Sequence, residues 1–362
     1  MREIGESRRV VVIGTGLIGT SVALALSERG DQVWLADRDP VSVRLAAELG
    51  AGVPLAEKPG DPGESADIAV LAVPPAAVAA TLLDAQKRDL ARVYTDVASV
   101  KARPLREAAE LGCDLTCFVA GHPLAGRERS GPAAARADLF LGRPWALCPT
   151  PESAPSAVEA VRALAEACGA QIAVVDAEEH DRAVALVSHG PHVTAAAVAA
   201  RLEAAPEAAL GLAGQGVRDV TRIAAGDPGL WIGILSANAE PVADVIDEVA
   251  ADLAATAAAL RAGGGDAVTD LLRRGGSGRS RLPGKHGDRA GTYAVVAVLI
   301  PDRPGELALL FQAAGVAGVN IEDVTIEHSP GRPVGVVELS VRPAAAQRLA
   351  DELRARGWSV PG

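Results

Sequence analysis

Short runs of β-branched and apolar residues alternate with Ala- and Leu-rich stretches through the first half of the chain. The runs are Arg9–Ile13, Gln32–Ala36, Asp67–Val73, Val93–Val97, Thr116–Ala120, Trp145–Cys148 and Ala170–Val175. Several are apolar at almost every position, the pattern of strands covered on both faces. Between them, Leu17–Arg29, Val43–Leu49 and Val158–Cys168 read as helices. Such alternation predicts a doubly wound α/β domain built on a parallel sheet, over residues 1–176.

After about Asp176 the strand pattern stops. Glu178–Glu203 and Leu230–Arg261 read as long Ala-rich helices, with Pro191 marking a kink and Pro241 a helix start. Residues 177–262 are therefore expected to form an all-α domain, whose small side chains allow close packing and suit a dimer interface. Residues 263–291, rich in Gly and Arg, read as a linker. From Tyr293 a strand, the helix Gly305–Ala317, the strands Asn320–Glu327 and Val334–Val341, and the helix Ala344–Arg356 make a small α+β unit over 292–362.

Composition narrows the class. The chain has 362 residues, 49% of them hydrophobic, which suits two or three packed domains rather than a disordered chain. Its net charge of −11 argues against a nucleic-acid binder, which usually presents a basic face. Anionic ligands must then be met by a few local donors. No apolar run reaches membrane-spanning length, and the first residues lack a signal-peptide core, so a cytoplasmic protein is expected. Cys113, Cys117, Cys148 and Cys168 form no zinc-ligand spacing and read as buried thiols; no metal site is expected.

Gly14-Thr15-Gly16-Leu17-Ile18-Gly19 follows the first strand and opens a helix. Gly14 permits the tight turn, Gly16 lets the backbone approach a pyrophosphate, and Gly19 allows close helix–strand packing. Asp37 ends the second strand about 20 residues on, placed to accept from ribose hydroxyls, which favours NAD over NADP. Arg38 beside it is the residue that would meet a 2′-phosphate. Val73 and Pro74 close a later strand and read either as a nicotinamide-side wall or as a structural turn.

Four segments are polar where apolar residues would otherwise stand. Thr95–Lys101 and Gly121–Glu128 follow the fourth and fifth strands, where open α/β sheets bind ligands. Val187–His192 interrupts the first long helix, and Arg218–Arg222 precedes the next. Singly, each has a bland reading: a turn histidine at His122, core histidines at His189 and His192, a surface ion pair at Arg222, a helix cap at Ser99.

Together, GTGLIGTS, TDVASVK, GHPLAG, HDRAVALVSHGPH and RDVTRIA resemble the prephenate/arogenate dehydrogenase family of tyrosine biosynthesis, over about residues 8–260. The resemblance implies a Rossmann domain, a helical dimerisation domain, NAD as cofactor, and prephenate or arogenate as substrate. It makes His122 the base for the substrate hydroxyl and Ser99 its hydrogen-bonding partner. Asp96 lies with the cofactor loop, and Asp96 and Lys101 hold that loop. Arg222 binds a substrate carboxylate and His189 lines the pocket. Glu128 and Trp231 gate or wall it, and Arg127 bears on the choice between prephenate and arogenate. Asp302-Arg303-Pro304-Gly305-Glu306-Leu307 with Gly318-Val319-Asn320-Ile321 resembles an ACT domain, a ferredoxin-like amino-acid sensor. Asp302, Gly305, Asn320 and Ile321 are its expected effector residues, with tyrosine the expected ligand.

Two rivals stand beside this reading. A β-hydroxyacid dehydrogenase relies on a lysine in the helical region, and residues 178–262 contain none. A non-catalytic nucleotide and amino-acid sensor would not require His122, Ser99 and Arg222 to converge.

Overall fold

A computed structural model describes residues 7–55, 65–126, 129–282, 293–328 and 334–361. The chain divides into two units, Met1–Val249 and Ala250–Gly362.

The first unit begins with β1 (Arg9–Ile13), α1 (Leu17–Ser27), β2 (Gln32–Ala36), α2 (Pro40–Glu48), β3 (Val53–Pro54), β4 (Ala66–Leu71), α3 (Val78–Lys87), β5 (Ala91–Asp96), α4 (Ala102–Glu110), β6 (Phe118–Pro123), β7 (Pro144–Cys148), α5 (Pro155–Ala167) and β8 (Gln171–Val174). The strands form one eight-stranded sheet in the order β3-β2-β1-β4-β5-β6-β7-β8. Its order reverses between β1 and β4, the crevice where such sheets bind ligands. Side chains alternate across the sheet. Val10 and Val12 enter one apolar core with Leu26, Ile68 and Leu164, whereas Val11 enters the other with Leu71, Leu82 and Phe118. This two-sided burial explains why the strands read as unbroken apolar runs.

The sheet is not wholly parallel, as the sequence pattern suggested. β6 pairs antiparallel with β7, while β7 and β8 are parallel. A parallel neighbour needs a crossover, usually a helix. The connection after β6 supplies only the 3₁₀ turn Pro132–Ala134 among its described residues. β6 also runs further than predicted, so Gly121 and His122 lie on a strand rather than on the loop after it.

The helical part continues with α6 (Ala177–Val184), a π-helical turn (Ala185–His189), α7 (Gly190–Ala199), α8 (Glu207–Leu210), α9 (Gln215–Thr221), a 3₁₀ turn (Arg222–Ala225), α10 (Pro228–Ala237) and α11 (Ala239–Arg261). The kink expected at Pro191 is the π turn: proline has no N–H for the helical ladder and crowds the preceding carbonyl. The second long helix is broken at Asn238, whose backbone leaves the helical region.

The second unit holds α12 (Asp266–Ser280), β9 (Ala294–Pro301), α13 (Glu306–Val316), β10 (Asp323–His328), β11 (Val334–Val341) and α14 (Pro343–Ala355). The stretch expected as a linker thus carries a helix. Its glycines weaken it by about 1 kcal/mol each relative to alanine. Arg274, however, grips Asp270 within α12 at 2.9 Å and Asp252 of α11 at 2.7 Å, a non-local pairing that the Gly/Arg composition hides. The terminal module is a three-stranded antiparallel sheet in the order β10-β11-β9, backed by α13 and α14, with Ser359 bridging to Leu299 on the free edge of β9. Among the described residues no helix is long and apolar enough to cross a membrane.

Candidate active site

The glycine loop is shaped by contact. A Cβ on Gly14 (φ +106°) would fall 2.1 Å from the Ala72 carbonyl oxygen, and one on Gly19 would fall 1.9 Å from that of Gly14. Gly16 faces open space, as a position approached by a ligand must. It also begins α1, where no side chain caps the helix, so the first N–H groups present a positive dipole end outward. Leu17 and Ile18 follow at this helix start. Asp37 is tied to the same loop: its carboxylate accepts from the Thr15 N–H at 2.6 Å, the Thr15 hydroxyl at 3.1 Å and the Asp39 N–H at 2.9 Å. The loop and Asp37 are thereby one preset unit. Val73 is half-buried and Pro74 exposed, two residues beyond β4, where Pro74 opens a 3₁₀ turn that packs against α10.

At the end of β5, between β4 and β6, lies a buried polar network. The Lys101 side chain is fully enclosed, and its ammonium donates to the Asp96 carboxylate and, at 2.7 Å, to the Gly121 carbonyl. Asp96 also accepts from the Ala98 N–H at 3.0 Å and the Gly121 N–H at 3.1 Å. These bonds clamp the Asp96–Lys101 loop to β6 one residue before His122. Ser99 is half-buried in this loop and makes no side-chain hydrogen bond among the described residues; the cap of α4 is supplied from elsewhere. Asp181 of α6 accepts from the Lys101 N–H at 2.8 Å and the Ala102 N–H at 2.9 Å.

From Asp181 the network runs to two of the histidines that the sequence singled out, His122 and His189. His180 Nδ1 lies 2.8 Å from the Asp181 carboxylate, and His180 Nε2 lies 2.9 Å from His122 Nδ1. The main-chain carbonyl of Asp181 accepts from the Asn238 amide at 2.8 Å, and the same amide nitrogen lies 3.1 Å from His189 Nδ1. Trp231 packs edge-on to His189 and stacks on His192 with ring centroids 3.5 Å apart. Gly226 makes room for it, since a Cβ there would meet the indole at 2.4 Å.

Burial, with the Lys101 ammonium and then His180 and His189 adding to it, holds the His122 imidazole well below its ordinary value of 6.5. Burial also lowers His189 to about 4, against the opposing pull of Asp181. Both rings are therefore neutral at pH 7. A neutral imidazole at His122 can accept a proton, and a neutral one at His189 can donate a hydrogen bond to a ligand oxygen.

His122, His189, Trp231, Asp96 and Lys101 thus meet in one contiguous network. Arg222 opens the 3₁₀ turn that packs on α7 and is exposed. Arg127 and Glu128 lie outside the described residues. His180, Asp181 and Asn238 carry no role in the sequence reading, although the first two stand in the HDRAV segment it singled out. In the second unit, Asp302 lines a shallow depression with Arg303, Glu306 and Ile326. Gly305 (φ +92°) starts α13, Asn320 donates to Glu322 at 2.9 Å, and Ile321 packs into the module's core. The N–H groups of Arg303 and Glu306 are engaged within the turn.

Residues 22–174 match the family model for the prephenate dehydrogenase nucleotide-binding domain, and residues 176–274 match that for the prephenate dehydrogenase dimerization domain. The probable prephenate dehydrogenase NovF of Streptomyces niveus is 42% identical, covering 97% of this chain and 99% of its own. Among solved structures, prephenate dehydrogenase from A. aeolicus in complex with hydroxyphenyl propionate and NAD+ is 27% identical at TM-score 0.68, covering 76% of this chain and 99% of its own. Synechocystis arogenate dehydrogenase is 26% identical at TM-score 0.62, covering 75% of this chain and 99% of its own. The chain belongs to the prephenate dehydrogenase family.

Proposed function

We propose that this chain is an NAD-dependent prephenate dehydrogenase, and that His122 is its base. The observation that supports the reading is the one hydrogen-bonded network that joins a neutral His122 on a clamped strand to a neutral His189 on a π turn. Prephenate is a cyclohexadiene with a 4-hydroxyl, a ring carboxylate and a pyruvyl side chain. The glycine loop and Asp37 would hold NAD, which when bound supplies the acceptor for the hydride that leaves C4. His122 takes the hydroxyl proton, a contribution of about 10²–10⁴-fold for a well-placed base. The ring carboxylate leaves as carbon dioxide, its bonding pair makes the ring aromatic, and the phenolate oxygen takes the proton back from His122, giving 4-hydroxyphenylpyruvate. Ser99 is free to hydrogen-bond the same hydroxyl, His189 donates to a substrate oxygen, and Trp231 walls the site. Arg222 serves a substrate carboxylate through its planar fork.

Arogenate, which differs by an amino group in place of the keto oxygen, is the second reading, supported by the likeness to the Synechocystis enzyme. Steady-state assays with both substrates and both nicotinamides decide between them; no turnover of either substrate refutes the proposal. Four free cysteines suit a reducing, cytoplasmic setting.

A homodimer is supported by the helices. α10 is strongly apolar yet has no buried residue, and Val242 is the one buried residue of α11. Leu230 and Ile232 are 55% and 64% exposed, surface that a second copy would cover. For the terminal module, we propose an ACT-type regulatory role with tyrosine as effector near Asp302 and Gly305. Its support is the β9–α13 turn and the antiparallel sheet with two helices on one face. Tyrosine is expected to inhibit the enzyme or raise its melting temperature; the absence of both effects would refute this role.

A further inference from the structure

We propose that Asp181 sets the tautomers of both active-site histidines, in opposite senses, through two separate hydrogen-bonded arms. A neutral imidazole carries one donor and one acceptor nitrogen, so a chain of imidazoles has a direction, fixed by whatever stands at its end. Here the end is a carboxylate, an acceptor only, whose two oxygens already receive the Lys101 and Ala102 N–H groups. His180 must therefore donate from Nδ1 to Asp181, at 2.8 Å, which leaves His180 Nε2 as an acceptor. His122 must in turn donate from Nδ1 across 2.9 Å, which leaves its Nε2 lone pair bare. That is the form a proton acceptor needs, and it is the tautomer that a free histidine side chain favours less.

The second arm runs the other way. The main-chain carbonyl of Asp181 is also an acceptor only, so the group 2.8 Å from it on Asn238 is the amide NH₂, which fixes the amide's orientation. The other hydrogen of that NH₂ points to His189 Nδ1 at 3.1 Å. His189 therefore accepts at Nδ1 and carries its proton on Nε2, as a donor toward ligand oxygens. Asp181, His180 and Asn238 are 3% exposed each, so water does not compete for these bonds. The proposal makes His180, Asp181 and Asn238 positioning residues, and it rests on the reading of His122 as the base.

The test is a long-range proton–nitrogen correlation spectrum of the full chain labelled with ¹⁵N-histidine. Each ring is assigned by its single substitution, and kinetics of His180→Phe and His180→Gln are measured alongside. The proposal predicts a proton on Nδ1 of His122 and on Nε2 of His189. It predicts that His180→Phe loses about 10²-fold or more in kcat, within the range of general-base catalysis, with KM for NAD unchanged. His180→Gln, which keeps an acceptor oxygen near the position of Nε2, recovers part of the loss. A proton on Nε2 of His122 in the unsubstituted protein overturns the proposal, as does wild-type kcat in His180→Phe. Should His180→Phe fail to fold, the wild-type spectrum still decides. That spectrum needs no turnover, so a chain with the predicted tautomers that does not oxidise prephenate counts against the base assignment and not against the relay.

Discussion

Replacing Lys101 by methionine removes one charge from a fully enclosed pair while keeping most of the side-chain volume. In the native protein the ammonium meets the Asp96 carboxylate and the Gly121 carbonyl, and neither Lys101 nor Asp96 is exposed to water. Without it, Asp96 keeps only the Ala98 and Gly121 N–H groups and no countercharge. Breaking a buried pair in this way costs about 3–5 kcal/mol, chiefly because the remaining charge stays buried. Urea unfolding followed by tryptophan fluorescence reads the loss, since Trp145 on β7 is fully buried beside β6. Pairing the change with Asp96→Leu removes the orphaned charge, and replacing both partners by apolar groups is often neutral or better. The double variant should therefore be more stable than Lys101→Met alone. The kinetics carry a second signature. The Lys101 charge helps hold His122 below its ordinary value, so its removal raises His122 and moves the acid limb of kcat/KM toward neutral pH. A loss under about 1 kcal/mol, or a double variant no more stable than the single one, would refute the reasoning.

Other predictions follow from the same geometry. His189 falls from 6.5 to about 4 on folding, so the unfolded chain binds a proton that the folded one excludes. The associated stability, about 3 kcal/mol at roughly 1.4 kcal/mol per unit, is complete above pH 6.5 and is lost as pH falls toward 4. Urea midpoints across that range should fall less steeply in His189→Gln; equal slopes would contradict the burial argument. Gly19→Ala should destabilise the first unit, because its Cβ meets the Gly14 carbonyl oxygen at 1.9 Å. Gly16→Ala should keep its melting temperature but bind NAD more weakly by calorimetric titration; unchanged affinity would place the cofactor elsewhere. The proposed homodimer predicts that Ile232→Asp on α10 shifts sedimentation from dimer to monomer; a monomeric wild-type chain, or a variant that stays dimeric, would refute that interface.

The strands and the nucleotide loop were legible because their signals are local. Two-sided burial makes Val10–Val12 uniformly apolar, and the steric demands on Gly14 and Gly19 arise within 60 residues of chain. His122 was singled out by its motif. Its supports were not, because His180 lies 58 residues away and Asp181 caps a helix that starts 79 residues earlier. His180 and Asp181 stand in a run of five ionisable residues, Glu178–Arg182, so nothing local set these two buried ones apart from their exposed neighbours. The helix at Asp266–Ser280 escaped because its glycines argue locally for a linker, while Arg274 holds it through Asp252, 22 residues back. The antiparallel β6–β7 pair escaped because strand direction is set by the connection between strands, which leaves no mark on the strand pattern itself.

The central claim is that a neutral His122 takes the hydroxyl proton during NAD-dependent oxidation of prephenate. NADH formation from prephenate and NAD, compared between the wild-type chain and His122→Asn, tests it most directly. The account predicts turnover in the wild type and a kcat lower by about 10²–10⁴-fold in the variant, with NAD affinity retained. Full activity in His122→Asn would contradict it.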